Sequence, residues 1–217
     1  MRRCIRRLRW GCCRRLKQRC FPWGDVEDGV LLAREDIYGR DDYLFKVTFV
    51  GDSGVGKTSL MLSYMGEVWG GSEPTLGIDF RVAHRVQAGD GKTAKLQLWD
   101  VSGHDRFRDL ATLYLRGHDG IVLVFDLTSE ASFESLRSRW TAAVEANTRQ
   151  DAIRLLVGTK VDLSATAAKA KVAAVAVHFA AERGMRYVET CAADRAGVSA
   201  LIEGLVSDMR RVADHSG

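Results

Sequence analysis

The sequence predicts an α/β fold: a mostly parallel six-stranded sheet with one antiparallel strand, and helices on both faces. Three observations carry this expectation. From Tyr43 onward, strand-like and helix-like segments alternate along the chain. One segment, "GIVLVFDLT" (120–128), is a continuous apolar run, as a strand covered on both faces must be. One pair of strands, 80–87 and 93–100, is joined by Ala88-Gly89-Asp90-Gly91, a hairpin signal that makes that pair antiparallel.

In chain order, "LFKVTFV" (44–50) reads as a strand running into a glycine-rich loop, with a helix from about Lys57 to Met65. The hairpin strands "FRVAHRVQ" and "TAKLQLWD" follow, then the buried strand 120–128 and a helix over 131–147. "IRLLVGT" (153–159) is the next strand. Ser164 is suited to cap a helix that closes at Gly184. "RYVET" (186–190) is a short strand, and a last helix runs over about 198–212. No internal repeat is present. The domain therefore covers 43–213, with a short tail at 214–217 and an extension plus acidic linker at 1–42.

At 217 residues the chain suits one domain with an appendage. No apolar run reaches the roughly 18 residues of a membrane helix. The net charge of +4 hides a division. Residues 1–24 carry nine basic side chains and no acidic one, leaving 23 basic against 28 acidic residues, or −5, in the remainder. An acidic body argues against a nucleic-acid-binding core and assigns any electrostatic targeting to the extension. Four of the five cysteines (Cys4, Cys12, Cys13, Cys20) lie in the extension and only Cys191 in the body, so the body has no disulfide framework, as in a reducing compartment. The extension has neither a C-x-x-C pair nor a histidine, which disfavours zinc.

"GDSGVGKT" (51–58) fits G-x-x-x-x-G-K-[ST] directly after a strand and at the start of a helix. Backbone N–H groups from Gly54 to Lys57 are expected to converge on phosphate oxygens. Lys57 would neutralise the β and γ phosphates, and the Thr58 hydroxyl would ligate Mg²⁺. The nucleotide-contacting set of this loop is Gly51, Asp52, Ser53, Gly54, Val55, Gly56, Lys57, Thr58 and Ser59. The loop alone does not choose a base. "VGTKVDL" (157–163) does, because it places a carboxylate at the carboxyl end of a buried strand, where ligands bind in open α/β sheets. Asp162 can accept both the ring N–H and the exocyclic amine of guanine, a donor pair that adenine lacks. Thr159 and Lys160 would flank the base.

Together these motifs resemble the Ras superfamily of small GTPases, within it the Rab branch, over about residues 43–213. Rab-like stretches are "LGIDF" (76–80), "KLQLWD" (95–100), "RFRDLAT" (106–112), "YLRGH" (114–118) and "LVFDLT" (123–128). The resemblance implies a P-loop NTPase small G-domain that binds GTP and GDP with Mg²⁺ and regulates vesicle or membrane traffic. It implies that Thr75 ligates Mg²⁺ and senses the γ-phosphate, that Asp100 holds Mg²⁺ through water, and that the Gly103 backbone touches the γ-phosphate. It places Trp69 over the guanine and aligns "ETCAA" (189–193) with the last base loop, where Cys191, Ala192 and Ala193 stand and the Ala192 N–H meets the guanine oxygen. It also implies an exchange factor, an activating protein and effectors acting on a cytoplasmic monomer, peripheral on endomembranes.

The chain departs from the family pattern. Thr159 replaces the usual Asn, as in the Rho branch. Cys191 and Ala193 replace Ser and Lys. Val101 and Ser102 replace Thr and Ala. The run from Thr58 to Thr75 is one residue short and contains Gly70 and Gly71, and "ADHSG" offers no cysteine for prenylation. Above all, His104 stands where the family has a water-positioning glutamine. A neutral imidazole has one donor and one acceptor in a rigid ring, unlike an amide. The residues expected to act at the γ-phosphate are His104, Thr75, Gly103 and Lys57. The expectation is a switch that binds well and hydrolyses slowly unaided; the alternative is a GTP-bound scaffold with negligible turnover. In the extension, Ile5, Leu8, Cys12, Leu16 and Cys20 share one helical face interrupted by Arg9 and Arg19, which suggests a membrane anchor of basic charge plus acylated Cys12 or Cys13; the alternative is a disordered basic tail.

Overall fold

Strands β1 (Tyr43–Val50), β2 (Ile78–Gly89), β3 (Lys92–Val101), β4 (Gly120–Asp126), β5 (Ile153–Thr159) and β6 (Arg186–Glu189) form one sheet in the order β2-β3-β1-β4-β5-β6. The β2–β3 pair is antiparallel and the other neighbours are parallel, which is the mixed sheet expected. The computed structural model describes residues 41–67, 75, 77–104, 114–163 and 167–216. The basic extension, the linker to residue 40, Trp69 with its two following glycines, and Ser164 lie outside the described residues.

Helices cover both faces. On one, α1 (Lys57–Met65) and α4 (Arg195–Ser216) pack on Phe45, Val47, Phe49, Val122 and Val124. α4 presents Val198, Leu201, Ile202, Leu205, Val206 and Met209, all buried, at the three- and four-residue spacing of a single helical stripe. Burying side chains of this size stabilises by roughly 1.5–3 kcal/mol each. On the other face lie α2 (residues 130–147) and α3 (Ala167–Glu182), packed on Ile121, Leu123, Phe125 and Leu156. Helix α2 is three consecutive pieces: Glu130–Ser135, a π-turn at Leu136–Trp140, and Thr141–Asn147. All seven residues of β4 are buried, because both of its faces are covered.

Two boundaries differ from expectation. The last helix starts at Arg195 rather than near 198 because Asp194 accepts the Gly197 N–H at 2.9 Å and so caps it. It also runs through Asp214 and His215, residues expected to be a tail. There the Asp214 carboxylate receives Tyr43 Oη–H (2.6 Å) and pairs with Arg210 one turn earlier (3.1 Å), which holds the final turn on the start of β1. α3 closes as expected, with Gly184 left-handed (φ 62°) and the Met185 N–H returning to Ala180 O.

His118, just before β4, is 4% exposed and stands edge-on to Trp99, ring centres 5.9 Å apart. Burial pushes its imidazole below the ordinary 6.5; the Leu115 backbone and Asp119 oppose this, and Lys46 adds to it. The unfolded chain therefore takes up this proton more readily than the native one. The native state loses stability as pH falls below 6.5, and retains it in full above. In urea denaturation series from about pH 5 to 7, His118→Phe is expected to flatten this dependence, the gap between variant and parent growing toward acid.

Candidate nucleotide-binding site

The phosphate loop leaves β1 at Gly51, whose φ of 145° suits glycine. An added Cβ there would lie 2.1 Å from Val124 O, so the loop is pressed against the neighbouring strand at its first residue. The chain then turns so that Val55 is buried while Ser53 and Gly54 remain exposed, and α1 begins at Lys57. Lys57 is 5% exposed, and its Nζ donates to Gly51 O (2.9 Å) and Asp52 O (2.7 Å), closing the loop around the ammonium. Burial pushes its pKa down to about 8, against the attraction of Asp100 and Asp52.

Beside it, three oxygens from distant segments meet. Thr58 Oγ1–H donates to Asp100 Oδ2 at 2.5 Å, Thr75 Oγ1–H approaches the same oxygen at 3.1 Å, and the two hydroxyls are 2.8 Å apart. Asp100 is fully buried at the end of β3, and burial pushes its carboxyl pKa up, opposed by Thr58, Lys57 and Thr75. Its Oδ1 is buried with no hydrogen-bond partner. An all-oxygen set containing an orphaned carboxylate oxygen fits a hard cation such as Mg²⁺.

Gly103 follows β3 and lies against the phosphate loop. A Cβ on it would sit 2.2 Å from Asp52 C and 2.3 Å from Ser53 N, so only glycine allows this approach. His104 is partly buried, and its backbone N–H approaches Ser102 Oγ at 3.5 Å. The structure thus places His104 next to the glycine that abuts the loop.

At the other end of the loop, Thr159 Oγ1 lies 2.5 Å from Val55 O and 2.9 Å from Phe125 O, buried at the end of β5. Its single hydroxyl proton links β5 to the phosphate loop. Lys160 adopts φ 60° and its Nζ pairs with Asp126 Oδ2 at 2.7 Å. Asp162 is exposed just beyond. The loop with Cys191, Ala192 and Ala193 is tied to the same place by Thr190 N–H to Gly158 O (3.0 Å); Cys191 is buried, Ala192 partly buried and Ala193 exposed. Of the residues expected at the site, Gly51 to Ser59, Asp100, Gly103, His104, Thr159, Lys160, Asp162 and Cys191 to Ala193 lie at the carboxyl ends of β1, β3, β5 and β6, on the loops that follow them or on the first turn of α1, and Thr75 precedes β2. Trp69 lies outside the described residues.

Three supporting residues had escaped the sequence reading. Asp126, at the carboxyl end of β4, holds Lys160 and also accepts Thr128 N–H and Oγ1–H; a carboxylate ending a fully buried strand was the available signal. Ser135 Oγ–H and Trp140 Nε1–H each donate to Asp52 Oδ1 at 2.8 Å. In a straight α-helix, residues five apart point about 140° away from each other. The π-turn widens the helix between them, so both donors reach one oxygen. Their α-helical spacing in the sequence gave no sign of a shared face.

The Ras family profile matches residues 46–211. The chain belongs to the Ras family. Among its relatives, the Ras-related protein RABC1 of Arabidopsis thaliana is 41% identical over 166 residues, 76% of each chain. The Ras-related protein Rab-13 of Canis lupus familiaris is 39% identical over 77% of this chain and 81% of its own. The GTP-binding protein yptV2 of Volvox carteri is 39% identical over 80% and 79%. The Rab resemblance therefore holds across the Ras-type domain.

Two substitutions probe the loop's supports. Trp140→Phe removes one donor to Asp52 and leaves a buried site underfilled, and should lower unfolding free energy by at least about 1.5 kcal/mol in chemical denaturation, the low end for a lost bond to a charged acceptor. Gly51→Ala should be much more damaging, since its methyl cannot coexist with Val124 O; thermal unfolding should show loss of the cooperative native transition.

Proposed function

We propose that this Ras-family chain is a guanine-nucleotide-dependent switch of the Rab type, which binds GTP and GDP with Mg²⁺, hydrolyses GTP slowly and acts in membrane traffic. The observation that carries the reading is the meeting of Thr58, Thr75 and Asp100 beside buried Lys57. Lys57 and Thr58 open the helix that follows the loop expected to hold phosphate, Asp100 stands at the end of β3, and Thr75 precedes β2.

In this reading the loop N–H groups from Gly54 to Lys57 bind phosphate oxygens, and the Lys57 ammonium, released from Gly51 O and Asp52 O, pairs with the β and γ phosphates. Thr58, Thr75 and Asp100 would hold Mg²⁺. The cation would neutralise charge on the phosphates as the terminal bond breaks. The Gly103 N–H faces the γ-phosphate. Asp162 reads guanine, with Lys160 steadied along the base plane by Asp126 and the Ala192 N–H at the guanine oxygen. Trp69 would cover the base. His104 orients water less effectively than an amide, so turnover depends on a partner that orders it or supplies an arginine. The same substitution favours a second reading, a GTP-bound scaffold with negligible turnover.

Exchange factors, activating proteins and effectors would engage the segments around Thr75 and His104. Beside them, Phe80 (40% exposed), Trp99 and Tyr114 (36% exposed) form a continuous aromatic surface, with ring centres 4.6 and 5.7 Å apart. Such a surface suits a protein partner. The basic extension would supply membrane attachment, as peripheral association with endomembranes from the cytoplasm requires. Among the described residues no helix is long and apolar enough to cross a membrane.

Three measurements test this. Asp162→Asn should exchange guanine for xanthine nucleotides in a competition assay; equal affinity of the parent chain for ATP and GTP would overturn the base assignment. In single-turnover assays the unaided rate should not exceed about 10⁻⁴ s⁻¹, His104→Gln should raise it, and an activating protein with an arginine finger should accelerate it by about 10³–10⁵-fold. No acceleration under any condition would leave the scaffold reading. Fractionation of the full chain against a chain lacking residues 1–24 and a Cys12→Ser, Cys13→Ser variant should move protein from membrane to cytosol; identical partitioning would remove the anchor.

A further inference from the structure

At the end of the sheet opposite the nucleotide loops, a cavity of about 420 Å³ opens between the starts of β5 and β6 and the last turns of α4. That volume lies within the range of small-molecule sites. Its wall carries four arginines, Arg154, Arg183, Arg186 and Arg211, and one carboxylate, Asp208. From residue 43 onward the chain carries 21 basic and 21 acidic residues, so four arginines against one carboxylate on one wall gather positive charge on an otherwise neutral domain.

The internal partners of these arginines do not satisfy them. Asp208 is shared between Arg186 (3.5 Å) and Arg211. Arg183 rests over the Phe179 ring at 4.1 Å and meets Glu145 and Glu182 only at 3.7 and 3.8 Å, beyond hydrogen-bond distance. Arg154 donates from Nη2 to Thr148 Oγ1 and Arg149 O, yet its Nε is buried with no acceptor. A guanidinium has five donors, so several remain for a ligand. Planar forks around one concavity match phosphate oxygens, which accept two bonds from one fork. Met185 and Val212 add an apolar wall that a carbon ring can lie against.

We infer that this arginine-lined cavity binds a multiply phosphorylated small ring, as in an inositol phosphate, carried either on a lipid or free in solution. The cavity uses no residue of the nucleotide site, so its occupation is compatible with either nucleotide.

The test uses the full GDP-loaded chain and two probes, soluble inositol trisphosphate in calorimetry and phosphatidylcholine vesicles doped with phosphatidylinositol bisphosphate in co-sedimentation. Vesicles doped to equal charge with phosphatidylserine are the control. The comparison is with Arg183→Gln, Arg211→Gln, which leaves the basic extension in place. Loss of charge-assisted bonds should weaken the soluble probe by roughly tenfold or more while GDP affinity stays unchanged. Arginine-dependent binding of the soluble probe supports a free ligand; arginine-dependent binding confined to the inositide vesicles supports the lipid. If the double variant also loses GDP, Arg183→Lys, Arg211→Lys, which keeps charge but not the fork, is measured instead and should bind more weakly than the parent. Equal binding by parent and variant to both probes, or equal binding to inositide and phosphatidylserine vesicles with no soluble binding, would overturn the inference.

Discussion

The Thr159 hydroxyl is the tie on which the rest of the site depends. It sits between the carbonyls of Val55 and Phe125, so one buried group joins the phosphate loop, the end of β4 and the end of β5. The backbone that would read the base and the backbone that would hold phosphate are thereby held at a constant separation. The family more often uses Asn here, which offers two amide donors. Thr159 offers one, which the Val55 and Phe125 carbonyls share. The Thr190 N–H to Gly158 O bond then brings the last loop to the same strand end.

A second support works from the opposite side. Asp52 lies in the loop, and its carboxylate reaches α2, where Ser135 and Trp140 hold it. The loop is therefore fixed at both ends: by Thr159 at Val55, and by the π-turn of α2 at Asp52. Between these points Lys57 is enclosed by its own loop carbonyls, and burial weakens its hold on a proton. A buried ammonium of this kind favours an anionic ligand able to replace its lost solvation.

The fold was legible because its signals are local and strong. The apolar run of β4, the hairpin turn at Asp90 and Gly91, and the glycine-rich segment after β1 each fix an element without knowledge of its neighbours. The site's backbone was legible for the same reason. What stayed hidden depended on tertiary geometry. Asp52 was read as a nucleotide contact, but nothing in its local sequence reveals that its carboxylate would be taken by two donors more than eighty residues away. Ser135 and Trp140 share a face only because the helix is not α-helical between them. The extension of α4 to Ser216 rests on Tyr43 reaching Asp214, a contact across 171 positions. The exposed spacing of Asp194 and Gly197 could have shown the helix start, since a carboxylate followed by small residues is a capping signal.

The π-turn in α2 also limits how this domain can be recombined. A π-turn amounts to one residue inserted into an α-helix, and removing that residue would rotate one half of the helix by about 100° against the other. Phe133 and Leu136 would then no longer face the sheet together with Trp140 and Val144. A helix without the insertion could not be grafted here, because it would lose both the core face and the two donors that reach Asp52. Loop and helix are matched through a single carboxylate, although some eighty residues of chain separate them.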